Sequence, residues 1–155
     1  MIRTIFAFTL AFLIPSFCLA QQSPIGTYKL VSFELLVDGQ PFVTAAGPNP
    51  RGHLVVTPKL YLQAFTAVSR KFGTSVAEKA ALWDTLGFWG GPYQMDGDKI
   101  VVAVDVSWNE SWSGTKQTQT IKQDGKRLLL TSPPIPFPRD PSKTVVSNLV
   151  WEKID

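Results

Sequence analysis

Residues 114–132 read GTKQTQTIKQDGKRLLLTS, and this stretch decides the fold class. In its first half two rows of side chains alternate, and the lysines mark one of the two rows as facing solvent. Asp124-Gly125 follows, a dipeptide that tolerates the positive φ angles of a type I′ turn, and an apolar run begins soon after it. The stretch therefore predicts two antiparallel strands, 114–123 and 126–132, joined by a tight hairpin.

The same pattern of short apolar runs and turn dipeptides extends through the rest of the chain. It predicts further strands over 27–37, 53–57, 60–67, 93–95, 99–108 and 144–153. About eight strands joined mostly in sequence order predict a mainly β fold, an eight-stranded antiparallel up-and-down barrel, with a β-sandwich as the alternative. The barrel is favoured because the two long terminal strands can pair and remove the exposed sheet edges.

One segment breaks the β pattern, between the third and the fourth predicted strands. Ser75 and Glu78 have the spacing of a capping box, and Gly87 can end a helix. Apolar residues recur on one face, so one short helix of about three turns is predicted here. The helix is interpreted either as a core element that buries Trp83 and Leu86 or as a lid over one end of the barrel.

The first twenty residues have the layout of a cleavable signal peptide. Arg3 precedes an apolar run that is too short to span a bilayer, and Cys18 and Ala20 are small residues at the positions that signal peptidase reads. We therefore expect residues 1–20 to be removed and residues 21–155 to fold as one barrel domain. The expected protein is exported, periplasmic or secreted, with no integral membrane segment after cleavage of the leader.

Composition excludes several function classes. The chain has 15 Lys and Arg against 12 Asp and Glu, with one His and one Cys. Removing Arg3 leaves 14 cations against 12 anions, a nearly balanced charge that predicts neither nucleic acid nor an anionic membrane as a partner. Because Cys18 leaves with the leader, a disulfide scaffold, a thiol enzyme and a cysteine-zinc site are excluded. We expect no metal and no cofactor, and the oligomeric state stays open.

Short motifs in chain order resemble those of the bacterial and fungal lipocalin-like domain proteins. Residues 26–32, GTYKLVS, resemble the family's opening G-T-W-x-L-V-S, and residues 149–151, LVW, resemble its closing L-x-W. Between them, Trp112, Gly114 and Gln117 resemble the family's W-x-G-x-x-Q. The resemblance implies a calycin-type barrel with a ligand cavity, without implying one reaction.

This sequence departs from the family pattern at a few positions. Tyr28 replaces the usual Trp, and Thr118 and Gln119 stand where the family often has arginine. The pocket is therefore expected to be more apolar and less basic than is typical of the family.

Two glutamines are candidate anchors for the polar group of a ligand. In residues 114–123 the lysines face outward, so Gln117 and Gln119 are predicted to point inward. Buried glutamines need hydrogen-bond partners, and these two either tie the barrel together or orient a ligand.

Aromatic residues cluster between the predicted helix and the connection of the fifth and sixth predicted strands: Trp83, Phe88, Trp89, Tyr93, Trp108 and Trp112. All of them except Phe88 are candidate ligand-binding residues. In a barrel these segments can converge on one end. The rings then either form an apolar mouth for a hydrophobic ligand or fill the core.

His53 and Asp105 are the candidate acid-base groups for an enzyme. His53 is the only imidazole of the chain. Asp105 interrupts the apolar run 100–106, and period two places it opposite the uniformly apolar row of that strand. Asp105 therefore faces either solvent or a polar cavity wall.

Three functions remain open at this point. The first is an exported protein that binds a small hydrophobic molecule in its barrel. The second is an isomerase or cyclase acting on a hydrophobic substrate in the same cavity. The third is a filled barrel that works through a protein partner.

Overall fold

Most of the chain forms strands of one antiparallel sheet. The computed structural model describes residues 23–43, 47, 50–137 and 140–155, and the predicted signal peptide lies outside this part. The elements are β1 (Gly26–Val37), β2 (Gln40–Phe42), β3 (Arg51–Val56), β4 (Tyr61–Thr66), α1 (Val76–Trp83), β5 (Leu86–Gly91), β6 (Tyr93–Asp96), β7 (Lys99–Ala103), β8 (Val106–Ser107), β9 (Lys116–Asp124), β10 (Arg127–Thr131), β11 (Ile135–Phe137) and β12 (Asp140–Lys153). A 3-10 turn, Glu110–Trp112, precedes β9.

The mainly β class and the antiparallel pairing are confirmed, whereas the count of eight strands is not. The described residues form twelve strands. β2 and β11 are three-residue additions beside the terminal strands, and the predicted strand 99–108 is divided into β7 and β8. β5 was not predicted because its sequence, LGFWGG, is rich in glycine, which has a low strand propensity.

The sheet runs in the order β6-β7-β9-β10-β12-β1-β3-β4-β5-β8, with β2 paired to β1 and β11 paired to β12. The predicted pairing of the two long terminal strands is confirmed. It extends from Tyr28 opposite Lys153 to Val37 opposite Val145, with one bulge in β1. Since β1 also pairs with β3 and β12 with β10, the first and the last strand lie in the middle of the sheet.

β5 and β7 each continue into the next strand at a bend, and the two bends lie against each other. β5 leads into β6 through Pro92, and β7 leads into β8. At the bend the Asp105 amide donates to the Gly90 carbonyl oxygen at 3.1 Å, and the Ala103 amide donates to the Pro92 carbonyl oxygen at 2.9 Å. A Cβ at Gly91 would lie 2.0 Å from the Ala103 oxygen, so the strands approach this closely only because residue 91 is glycine.

The curled sheet surrounds one core. Tyr61 on β4 reaches Gln119 on β9 although β10, β12, β1 and β3 separate these strands in the sheet. Side chains from most of the long strands fill the interior: Tyr28, Leu30, Leu54, Val56, Tyr61, Trp89, Ile100, Val102, Val104, Leu128, Leu130, Leu149 and Trp151. Fully buried aromatic and branched side chains thus occupy much of the space that the sheet encloses.

The apolar row predicted for residues 100–106 faces this core only in part. Ile100, Val102 and Val104 are buried, whereas Val106 is exposed. The bend at Val104-Asp105 places two consecutive residues outward, which shifts the alternation by one residue.

Helix α1 begins as predicted and ends earlier. The Glu78 amide donates to Ser75 Oγ at 3.2 Å and the Ser75 amide donates to Glu78 Oε2 at 2.9 Å, which completes the capping box. The helix ends at Trp83 rather than near Gly87, because β5 begins at Leu86.

The position and the burial of α1 also differ from the prediction. It follows β4 rather than the third strand, because β2 is an additional strand. No residue of α1 is buried, and Trp83 is 52% exposed, so its interpretation as a core element is wrong. Within the described residues, no helix has the length and the apolar character needed to cross a membrane.

Candidate functional site

Three polar side chains meet inside the core. The Tyr61 hydroxyl oxygen lies 2.6 Å from Gln63 Oε1 and 2.9 Å from Gln119 Oε1. Tyr61 is 0% exposed, Gln63 3% and Gln119 4%, and no other glutamine, asparagine or charged residue of the described chain is buried to this degree. We call these residues the polar trio.

Strand periodicity brings the polar trio together. Tyr61 and Gln63 are two residues apart on β4, so both point to the inner face. Gln119 lies on the inner row of β9, opposite Ile100 of β7, as the alternation with the lysines predicts. The curl of the sheet then carries β9 across the interior to β4.

The number of hydrogens available for donation limits how the polar trio can be bonded. A tyrosine hydroxyl has one hydrogen to donate, and an amide oxygen has none. Both contacts are therefore hydrogen bonds only if one of the two glutamines turns its NH₂ group toward Tyr61. Burial raises the pKa of the Tyr61 hydroxyl well above its usual value, so the group stays neutral at physiological pH.

A row of tryptophan rings leads from the surface to the polar trio. Ring centroids are 6.0 Å apart for Trp83 and Trp108, 6.4 Å for Trp108 and Trp112, and 6.2 Å for Trp112 and Trp89. Trp89 lies 5.1 Å from the ring of Tyr61. These spacings suit attractive contacts between aromatic rings. We call the four indole rings the tryptophan path.

Different elements supply the rings of the tryptophan path. Trp83 is the last residue of α1, and Trp89 lies on β5. Trp108 follows β8 and donates its amide to the Phe88 oxygen at 2.8 Å. Trp112 ends the 3-10 turn, with its amide bonded to the Asn109 oxygen at 2.9 Å. The predicted convergence at one end thus holds for four of the five aromatic candidates.

The fifth candidate, Tyr93, lies elsewhere. Its hydroxyl donates to the Thr57 carbonyl oxygen at 3.0 Å, and its ring lines an outer groove of about 190 Å³ with Val101 and Lys116. Gln117 is also outside the polar trio, because it is only half-buried and its Nε2 donates to Thr115 Oγ1 at 3.0 Å.

The two acid-base candidates do not reach the polar trio. His53 on β3 and Asp105 in the bend between β7 and β8 are both exposed, next to buried Leu54 and Val104. The enzyme hypothesis therefore loses the two residues that were named for it. Within residues 23–43, 47, 50–137 and 140–155, no three His, Cys, Asp or Glu side chains are grouped to hold a metal.

A second outer groove lies beside α1. It has a volume of about 300 Å³ and is lined by Arg70, Lys71, Phe72, Glu78 and Leu82, among others. The Arg70 guanidinium donates to the Leu82 carbonyl oxygen at 3.2 Å, which ties the preceding loop to the end of the helix.

A family model for the lipocalin-like domain matches residues 25–154. The chain belongs to the lipocalin-like domain family. No curated protein matches the chain. A solved structure of an uncharacterized protein from Bacteroides eggerthii DSM 20697 is similar at 12% identity and a TM-score of 0.43, with 84% of this chain and 98% of that chain covered.

Two residues of the polar trio in this lipocalin-like domain were missed from the sequence. Tyr61 and Gln63 lie on the same face of the predicted strand 60–67. A glutamine beside a tyrosine on one face could have indicated a buried hydrogen-bonded pair. It was overlooked because the neighbouring row, Leu62 and Ala64, carries no charge that marks it as outward.

Proposed function

We propose that this lipocalin-like domain binds a small, mainly apolar molecule between the tryptophan path and the polar trio. One observation carries the proposal: ring contacts run without a break from exposed Trp83 to buried Tyr61, and they end at hydrogen-bonding groups. Small-molecule sites combine an apolar lining with a few polar groups that fix orientation. The tryptophan path supplies the first and the polar trio the second.

The proposal includes a closed barrel of eight bent strands. If β5 with β6 and β7 with β8 are each counted as one strand, the bonds across their shared bend join the two ends of the sheet order. β2 and β11 then extend the barrel without belonging to it. An eight-stranded barrel encloses side chains or one small ligand.

Ligand entry requires the outer rings to move. Trp83 is carried by α1, a helix without buried residues, and it contacts Trp108 edge to face. Loss of one such ring contact costs about 0.5 to 1.5 kcal/mol, which thermal motion supplies readily. We therefore propose that α1 acts as a lid.

Tryptophan fluorescence and extraction test the binding proposal. Four of the five tryptophans lie on the path, so an apolar ligand is expected to change the emission of the purified protein. Solvent extraction followed by mass spectrometry is expected to release a co-purifying apolar molecule. The proposal is ruled out if extraction releases no molecule and no apolar ligand changes the tryptophan fluorescence.

A matched pair of variants locates the response. Trp83→Ala removes the outer ring of the path and is expected to weaken ligand binding several-fold. Phe72→Ala removes an aromatic side chain that is 89% exposed and outside the tryptophan path, and it is expected to leave binding unchanged. Equal effects of both variants would contradict entry along the tryptophan path.

We also propose that the protein is exported after removal of residues 1–20. The support is the sequence itself: a basic start, a short apolar run and small residues at positions 18 and 20. N-terminal sequencing of the protein recovered from the periplasm or the medium is expected to begin at Gln21. Recovery of the full-length chain from the cytoplasm alone would contradict export.

A further inference from the structure

We propose that the molecule bound by this domain carries an uncharged head group that donates and accepts hydrogen bonds, as an alcohol or a primary amide does. This inference rests on the proposed binding function and specifies the ligand class for that site. It follows from the hydrogen-bonding capacity of the polar trio and from the lack of buried charge around it.

The polar trio has donors and acceptors that its internal bonds do not use. The Tyr61 hydroxyl supplies one hydrogen and each of the two amides supplies two. Two contacts join the three side chains, so they use two of these hydrogens and leave amide hydrogens for another partner. The amide oxygens likewise keep lone pairs. A head group with one donor and one acceptor matches both.

Charged head groups do not match this position. Among the described residues, the buried polar side chains are glutamines, with no buried Lys, Arg or His to neutralise a carboxylate and no buried Asp or Glu to neutralise an ammonium. An unpaired charge in an apolar interior costs far more free energy than a neutral group that keeps its hydrogen bonds. The candidate acid-base groups His53 and Asp105 are exposed, so neither supplies a charge to the interior.

The tryptophan path fixes the orientation of such a ligand. Trp89 contacts Tyr61 at the inner end, and Trp83 lies at the surface end. An alkyl or aromatic body lies along the rings, and the head group reaches Gln63 and Gln119. The ligand therefore enters head first.

Four decyl compounds that differ only in the head group test the inference. The purified protein is titrated with decanol, decanamide, decanoate and decylamine at neutral pH, and tryptophan emission is followed. Decanol and decanamide are expected to bind at least about tenfold more tightly than the two ions. Equal affinity for decanoate or decylamine overturns the inference and leaves the binding function intact. Binding of none of the four overturns both.

Lowering the pH supplies an internal control. At about pH 3, below the usual pKa of carboxyl groups near 4, a carboxylic acid is largely neutral. The affinity for decanoate is then expected to rise toward that for decanol, while the affinity for decanol stays constant. An unchanged preference for decanol at low pH would show that charge does not decide the selection.

Two variants test whether the polar trio causes the preference for neutral head groups. Gln119→Leu keeps the site apolar and is expected to lower the affinity for decanol about tenfold while reducing the preference over decanoate. Gln94→Leu changes an exposed glutamine on β6 and is expected to change neither. If both variants keep the full preference for neutral head groups, the head group is recognised outside the polar trio, and the inference is wrong. The wild-type titration decides the inference even where Gln119→Leu does not fold.

Discussion

Tyr61 determines the hydrogen bonding of the interior, because its hydroxyl is the shared partner of two buried amides. Tyr61→Phe leaves Gln63 and Gln119 without this partner, and a buried polar group without a partner costs about 1 to 3 kcal/mol. We expect the free energy of unfolding, measured by urea denaturation, to fall by that amount. Tyr93→Phe removes a half-buried hydroxyl with a single bond and is expected to cost less. An equal or larger loss for Tyr93→Phe would contradict this role of Tyr61.

The raised pKa of Tyr61 also makes stability depend on alkaline pH. The unfolded tyrosine loses its proton near pH 10, whereas burial keeps the folded one protonated to higher pH. The stability that this hydroxyl contributes is therefore full below pH 10 and is lost as pH rises toward the folded pKa.

We accordingly expect the stability difference between the wild type and Tyr61→Phe to shrink above pH 10, by up to about 1.4 kcal/mol per pH unit. Urea denaturation at pH 8 and pH 11 measures the difference at both ends. A constant difference across this range would contradict a buried, neutral Tyr61.

At the scale of elements, α1 is stabilised by its own cap rather than by burial. Ser75 and Glu78 bond each other's amides, and hydrogen bonds from Ser75 and Thr74 lower the pKa of Glu78 to about 2. Its carboxylate therefore supports the cap at neutral pH, and this support is lost as pH falls through that value. We therefore expect the helix to open as a local unit while the sheet remains folded.

Ser75→Ala tests this independence. Loss of an N-cap serine costs about 1 kcal/mol of helix stability, so amide hydrogen exchange within α1 is expected to accelerate about fivefold. The midpoint of global unfolding is expected to stay unchanged, because no residue of α1 is buried. Glu78→Gln is the companion variant, since it removes the carboxylate and keeps the shape. A lowered global midpoint in either variant would show that the helix supports the sheet.

Elements with local signals were predictable, and those defined by distant backbone contacts were not. The hairpin at Asp124-Gly125 and the cap at Ser75 depend on neighbouring residues, and both are confirmed. β5 was missed because its glycines are needed only where the backbones of neighbouring strands come close together. A Cβ at Gly90 would lie 2.6 Å from the backbone carbonyl oxygen of Tyr61. Gln119 and the tryptophan rings were named from the sequence as candidates for the site. The contact between Gln119 and Tyr61 could not be predicted, because it depends on the curl of the sheet.

At the scale of the whole molecule, the bend at Gly91 lies against the connection between β7 and β8. A Cβ at this residue would lie 2.0 Å from the Ala103 carbonyl oxygen, which is main chain and has little freedom to shift. Gly91→Ala is expected to lower the free energy of unfolding by about 3 kcal/mol or more, as overpacking and lost strand bonds combine.

Gly125→Ala is the matched control for Gly91→Ala. Gly125 has a φ of 55° in the hairpin turn, and an added Cβ there meets nothing within 4 Å. It should cost only the strain of a left-handed residue, about 1 to 2 kcal/mol. Urea denaturation of both variants compares the two costs, and an equal loss would mean that the bend is not a structural junction.

The pairing of β1 with β12 has a consequence for biosynthesis. The first strand of the domain, β1 (Gly26–Val37), leaves the ribosome long before its partner, β12 (Asp140–Lys153). Until then one long edge of β1 and one of β10 have no strand to bond, and such long-range pairing makes folding slow. Synthesis of β12 therefore sets the moment at which these two edges can pair, and until that moment they are open to contacts with other strands.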